Sequence, residues 1–171
     1  AVTGVQTCAL PIFQPNSSTH EIRIVTLKPV RRMLANHQWE AVTPLHYKEE
    51  GSAPFKDVSR HVLFGDTHIG AELRYFEVSA GGYTTLERHE HAHAVLILRG
   101  AGRVLIGDEV HEVACNDLVS IAPMTWHQFR PADGEVLGFL CMVNQSRDRP
   151  QLPNSSDLER LRATPAIGEF I

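Results

Sequence analysis

An all-β fold, a sandwich or barrel of short antiparallel strands, is what this sequence predicts, and three observations carry the prediction. From Ala71 to Val143 the chain is cut into short β-prone runs. The cuts fall on turn chemistry: Gly100 to Gly102, Gly107-Asp108, Asn116-Asp117 and Ala132-Asp133-Gly134. No inter-domain linker and no internal repeat divides the chain, so the strands are expected to share one core.

In chain order, Val2 to Ile12, VTGVQTCALPI, resembles the in-frame translation of a short-read sequencing adapter, and residues 1–12 are set aside from the fold. Residues 13–40 are expected to form an N-terminal extension. Phe13 to His20 is polar and expected to be disordered, and Val30 to Glu40 suggests a short helix because Leu34 follows Val30 by four positions. Residues 41–146 are assigned to the barrel. Strands are expected at Ala41–Tyr47 and Ser59–Phe64, separated by KEEGSAPFKD, and then at Ala71–Val78 and Thr84–His89. They continue at His93–Leu98, Gly102–Ile106, Val110–Val113, Leu118–Ile121, Trp126–Arg130 and Val136–Val143. In the tail, residues 147–171, Pro150 and Pro153 favour extended chain. Ser156 with Glu159 reads as a capping box before a helix through Arg162, and Thr164-Pro165 as the start of a second helix. These helices are expected to pack on the barrel or on a second subunit of a homodimer.

The 171 residues are 43% hydrophobic and 21% charged with a formal net charge of -4, an ordinary composition for a soluble globular chain. The mild acidity argues against a nucleic-acid surface, which would carry a basic stripe. No apolar run approaches the roughly 18 residues of a membrane span. Setting Cys8 aside with the adapter-like stretch leaves Cys115 and Cys141, which fits free thiols in a reducing cytoplasm.

Chemistry concentrates in GGYTTLERHEHAHAVLILRG, Gly81 to Gly100, where His89, His91 and His93 stand beside Glu87 and Glu90. Side chains two apart on a strand share one wall and can converge on one ion. Imidazole and carboxylate suit Mn, Fe, Co, Ni or Zn, and no nearby cysteine favours a thiolate-rich site. Two registers are open. In one, Glu87 and His89 share the inward wall of Thr84–His89, His93 opens the next strand, and His91 falls at the turn. In the other, His89, His91 and His93 are ligands on one continuous strand and Glu87 is a base.

The spacing Gly81, Glu87, His89, His93, Gly100 resembles the first signature of the cupin superfamily, with the usual Glu and one His exchanged between ends. The second signature is only partly matched, at Asn116, Ala122, Met124 and His127, where the metal histidine alone is kept. The resemblance implies a double-stranded β-helix, the cupin jelly-roll barrel, and a metal set of Glu87, His89, His93 and His127. His91 is then left to transfer a proton beside the site. Open coordination positions favour catalysis over a structural ion.

Cys141 follows His127 through the turn at Asp133-Gly134, so a hairpin there would bring it within about one residue of facing His127. A buried, inert thiol is the plainer alternative. Cys115 reads as structural.

A closer likeness covers Glu21 to the end of the chain, on LERHEHAHAVLILRGAGRVLIG, APMTWHQFRPADGEVLGFLCMVNQSRDRPQLP and YKEEGSAPFKDVSRHVLFG. These segments resemble a group of small bacterial cupins that includes a methylthioxylulose 5-phosphate sulfurylase. That likeness implies a divalent metal, manganese first, and glutathione as acceptor of a methylthio group removed from a sugar phosphate. Cys141 would be the nucleophile and His91 or Glu87 the acid, with Lys48, Lys56, Arg60 and Arg74 as candidates for the phosphate. A non-haem iron dioxygenase, a sugar isomerase and a non-catalytic small-molecule-binding cupin are the competing readings.

Overall fold

Burial that alternates along the chain marks the strands in the computed structural model, which describes residues 29–46 and 54–171. The adapter-like stretch, Phe13 to His20 and Lys48 lie outside those residues. Leu118–Ile121 shows the pattern cleanly, with Val119 and Ile121 buried and their neighbours exposed. One apolar face per strand can be buried only against a second sheet, and two sheets form.

The strands are β1 (Leu45–His46), β2 (Lys56–Asp66), β3 (Ala71–Tyr83), β4 (His93–Arg99), β5 (Ala101–Ile106), β6 (Glu109–Ala114), β7 (Leu118–Ile121), β8 (His127–Pro131) and β9 (Leu137–Asn144). The larger sheet has the order β1-β2-β3-β9-β4-β7 and the smaller β6-β5-β8. Every strand pair is antiparallel. Between the sheets, Val78, Val95, Ile97, Phe139 and Cys141 of the larger meet Val104, Val113 and Phe129 of the smaller. This is a jelly-roll barrel. Gly100 turns β4 into β5 at φ 70°, where a Cβ would strike the carbonyl oxygen of Val136, so only glycine fits.

The tail forms α1 (Ser155–Arg162) and α2 (Pro165–Phe170). Leu161, Ile167 and Phe170 join Leu86, Leu105 and Trp126 in a second apolar cluster on the outside of the smaller sheet. The capping box sits two residues earlier than Ser156 and Glu159 predict. Asn154 accepts from the Asp157 N–H at 2.9 Å and Asp157 reaches back to the Asn154 N–H at 3.1 Å, because Pro153 holds the chain extended up to that residue.

Other expectations are corrected. Val30–Glu40 is not a helix but a single 3-10 turn, Ala35–His37, with Asn36 at φ 59°. Contacts with the barrel override its weak periodicity: Trp39 packs on Tyr75 at 4.8 Å and Arg31 donates to the Leu63 carbonyl at 2.6 Å. Within Ala41–Tyr47, the described strand is confined to Leu45–His46. Thr84–His89 is no strand. It crosses between the sheets on two isolated bridges, Glu87 with His127 and Arg88 with Gln151. The β8–β9 hairpin does not form either: β8 pairs with β5, while β9 lies between β3 and β4.

Candidate metal centre

Three histidines from three places in the chain meet inside the barrel. His93 opens β4, His127 opens β8, and His89 comes from the crossing segment, tied down where the His89 carbonyl accepts the Met124 N–H at 2.7 Å. Their ring centroids are 4.3 Å (His89–His93), 4.9 Å (His89–His127) and 5.3 Å (His93–His127) apart. One ligand nitrogen from each lies within 4.8 Å of the others.

The other ring nitrogens fix how these rings are presented. His89 Nδ1–H donates to the His91 carbonyl at 2.8 Å and His127 Nδ1–H to the Thr125 carbonyl at 2.9 Å. Each such bond leaves Nε2 as the nitrogen with a lone pair to offer. Among the described residues, Nε2 of His89 and of His93 is buried with no hydrogen-bond partner. One orphaned buried polar atom costs about 1–3 kcal/mol, and two side by side fit a bound cation. Burial, then repulsion from His127, lowers the pKa of His89 to about 4 and that of His93 to about 2. Both are therefore neutral at neutral pH, the form that ligates. The donor set fits a divalent ion with positions left for another molecule.

The cavity beside the trio has a volume of about 370 Å³. Glu87 lines it, its backbone exchanging hydrogen bonds with His127 at 3.2 and 3.0 Å, but its carboxylate is outside the set that converges within 4.8 Å. His91 stacks on His89 with centroids 3.7 Å apart and planes 5° from parallel. Its Nδ1 is 2.8 Å from Asp148 Oδ1, and the other Asp148 oxygen accepts the Glu90 N–H at 2.8 Å. That backbone N–H, and then His91, hold the Asp148 carboxyl below its usual pKa. His91 thus lies beside the trio, in a second group with His89 and Asp148 whose ligand atoms also lie within 4.8 Å of one another, and the continuous strand carrying all three histidines does not exist.

Cys141 lines the same cavity with its Sγ 3.6 Å from His93 Nδ1. The hairpin invoked to bring it there is absent. It arrives instead from the middle of the larger sheet, paired with Arg74 on β3 and Val95 on β4. Burial raises the thiol pKa to about 12, against the pull of Arg74 and Arg147. Arg60 and Arg74 line the cavity, whereas Lys56 is exposed and does not. Sequence reasoning missed Asp148, Arg147 and Arg149, which line the cavity from the segment after β9. The run Arg147-Asp148-Arg149 directly after the last strand was the available signal.

The cupin-domain family model matches residues 74–143. A protein of Rhodospirillum rubrum named 1-methylthio-D-xylulose 5-phosphate methylsulfurylase is 53% identical over 144 residues, 84% of this chain and 92% of that protein. The crystal structure of a cupin 2 conserved barrel domain protein from Rhodopseudomonas palustris is 54% identical with a TM-score of 0.79, covering 83% of this chain and 98% of that one. A cupin-2 domain structure from Rhodospirillum rubrum is 52% identical with a TM-score of 0.75, covering 84% and 96%. Alike in more than half of the aligned residues, over nearly the full length of each of these proteins, the chain belongs to the cupin family.

Proposed function

We propose that this chain is a metal-dependent methylsulfurylase, taking the methylthio group from 1-methylthioxylulose 5-phosphate to a thiol and leaving 1-deoxyxylulose 5-phosphate. The observation that carries the reading is Cys141 Sγ at 3.6 Å from His93 in a cavity shared with the histidine trio. The relative's name supplies the substrate. His89, His93 and His127 would hold the ion, with Glu87 turning in as a fourth donor and manganese as the metal. Bound there, a divalent ion supplies Lewis-acid stabilisation of negative charge on an adjacent carbonyl and hydroxyl.

Cys141, as thiolate, attacks the methyl-bearing sulfur. The S–S bond forms, the sulfur–C1 bond breaks, and the electron pair passes to C1 and its neighbouring carbonyl. C1 then gains a proton and becomes a methyl group. His91, held by Asp148, is the group proposed to deliver it. A second thiolate, glutathione in a reducing cytoplasm, attacks the methyl-bearing sulfur of the mixed disulfide and restores Cys141. The proton that C1 gains balances the one the incoming thiol gives up. Burial holds the Cys141 thiol pKa high, and two neighbours act against it in favour of the thiolate: a His93 Nδ1–H aimed at the sulfur, and Arg74 on the adjacent strand.

The test is an anaerobic assay of the manganese-loaded protein with methylthioxylulose phosphate and glutathione. Release of deoxyxylulose phosphate with a methyl glutathionyl disulfide is the expected result. Turnover that appears only with iron and consumes oxygen would replace this reading with a dioxygenase.

A further inference from the structure

The wall of the cavity formed by β2, β3 and the segment after β9 carries more positive charge than the described residues neutralise. Arg60 on β2 pairs with Phe76, and Arg74 on β3 pairs with Cys141. Phe76 and Cys141 both face the core, so cross-strand pairing turns both arginines inward, and both line the cavity. Arg147, just beyond β9, lines it too. One carboxylate serves two of the three: Glu72 accepts from Arg74 Nε at 2.8 Å and from Arg147 Nη1 at 3.3 Å. Among the described residues Arg60 has no carboxylate partner, and its Nε is buried without a hydrogen bond. Burial, followed by repulsion from Arg147, lowers the Arg74 pKa, with Arg60 adding to the repulsion.

Like charges gathered at a partly buried wall with an unfilled donor are costly unless an anion joins them. Guanidinium groups present parallel N–H donors that match phosphate oxygens. We propose that Arg60, Arg74 and Arg147 form a subsite for the dianion of a phosphate monoester. The position suits a short sugar phosphate. Only β9 separates β3 from β4, so the Arg74 strand is about 10 Å, two strand spacings, from the strand of His93. A five-carbon phosphate ester bridges that span once the arginine side chains reach inward. Glu72 then keeps Arg74 and Arg147 in place while leaving the cluster in positive excess.

The subsite rests on the proposed reaction for its sugar, but its test needs no turnover. Calorimetry on the manganese-loaded protein would compare D-xylulose 5-phosphate, which lacks the transferable sulfur, with D-xylulose. The ester should bind about 30-fold more tightly or better. Arg60→Gln and, on the more exposed segment, Arg147→Gln should each weaken the ester about tenfold or more and leave xylulose unchanged. Should Arg60→Gln fail to fold, Arg147→Gln decides. Equal affinity for ester and free sugar in the unmodified protein would overturn the subsite, and so would ester affinity retained in Arg147→Gln. Tight, arginine-dependent ester binding without methylthio transfer would overturn the reaction and leave the subsite standing.

Discussion

His61 and His93 belong to the same six-stranded sheet, and each has a buried ring nitrogen without a hydrogen-bond partner among the described residues. They differ in what surrounds them. His61 faces away from the barrel interior into an aromatic nest, 5.5 Å from Tyr75 and 6.3 Å from Trp39 between ring centroids. His93 faces inward to His89, His127 and the Cys141 sulfur. Burial lowers the pKa of both, with Glu77 pulling His61 back up and the other histidines pushing His93 further down. A buried imidazole with an idle nitrogen is therefore not by itself a metal ligand. Convergence of a second and third imidazole is what separates the two.

The sharpest way to break this comparison is at the sulfur. Cys141→Ser should lower methylthio transfer about a thousandfold or more while metal content stays unchanged, measured by product release and elemental analysis side by side. Activity near that of the unmodified protein would return Cys141 to the core as a small hydrophobe. The next largest contrast is between the histidines themselves. His93→Ala should reduce bound metal from about one ion per chain to nearly none, and His61→Phe should leave it unchanged. Equal losses would mean that burial, not convergence, holds the ion.

A smaller effect is expected at Asp148. Asp148→Asn should slow turnover about ten- to a hundredfold, largely in kcat, with metal retained. A change confined to KM would assign Asp148 to substrate binding instead. The gentlest probe is pH. In metal-free protein the folded His89 and His93 bind protons less readily than the unfolded chain, whose histidines titrate near the ordinary imidazole value of 6.5. Their stabilising contribution is present above that pH and is lost as pH falls from 6.5 through about 4 for His89 and toward about 2 for His93. The urea midpoint should drop between about pH 7.5 and about pH 5, and His61→Phe should remove part of the drop, because His61 shifts in the same direction. A flat midpoint would contradict the neutral, buried state of these imidazoles.

Much of the barrel was legible because its information is local. Turn residues at Gly107-Asp108 and Asn116-Asp117 stop one strand and start the next, and alternation along Leu118–Ile121 assigns its inner face. The histidine stretch was equally visible, since His89, His91 and His93 stand within five residues and side chains two apart can converge on one ion. What failed were the inferences from sequence neighbours to spatial neighbours. Thr84–His89 alternates like a strand yet crosses between sheets. β8 and β9 follow one another through a turn yet pair with other strands. Cys141 reached the cavity by a route that its own segment does not encode. Residues 30–40 had helical spacing, but packing of Trp39 against Tyr75 governed their shape.

Local pattern along the chain was enough for the all-β class, for most strand limits and for the cluster of His89, His91 and His93, because short-range backbone preference and side-chain chemistry suffice for those, while His127 joined the group through its place in the cupin signature. It took the folded chain to place Cys141 between Arg74 and His93, to bring Asp148 back from beyond the barrel to hold His91, and to let Arg74 and Arg147 share the carboxylate of Glu72. Those relations depend on which strands become neighbours across long stretches of chain, a choice made by burying two apolar faces against each other.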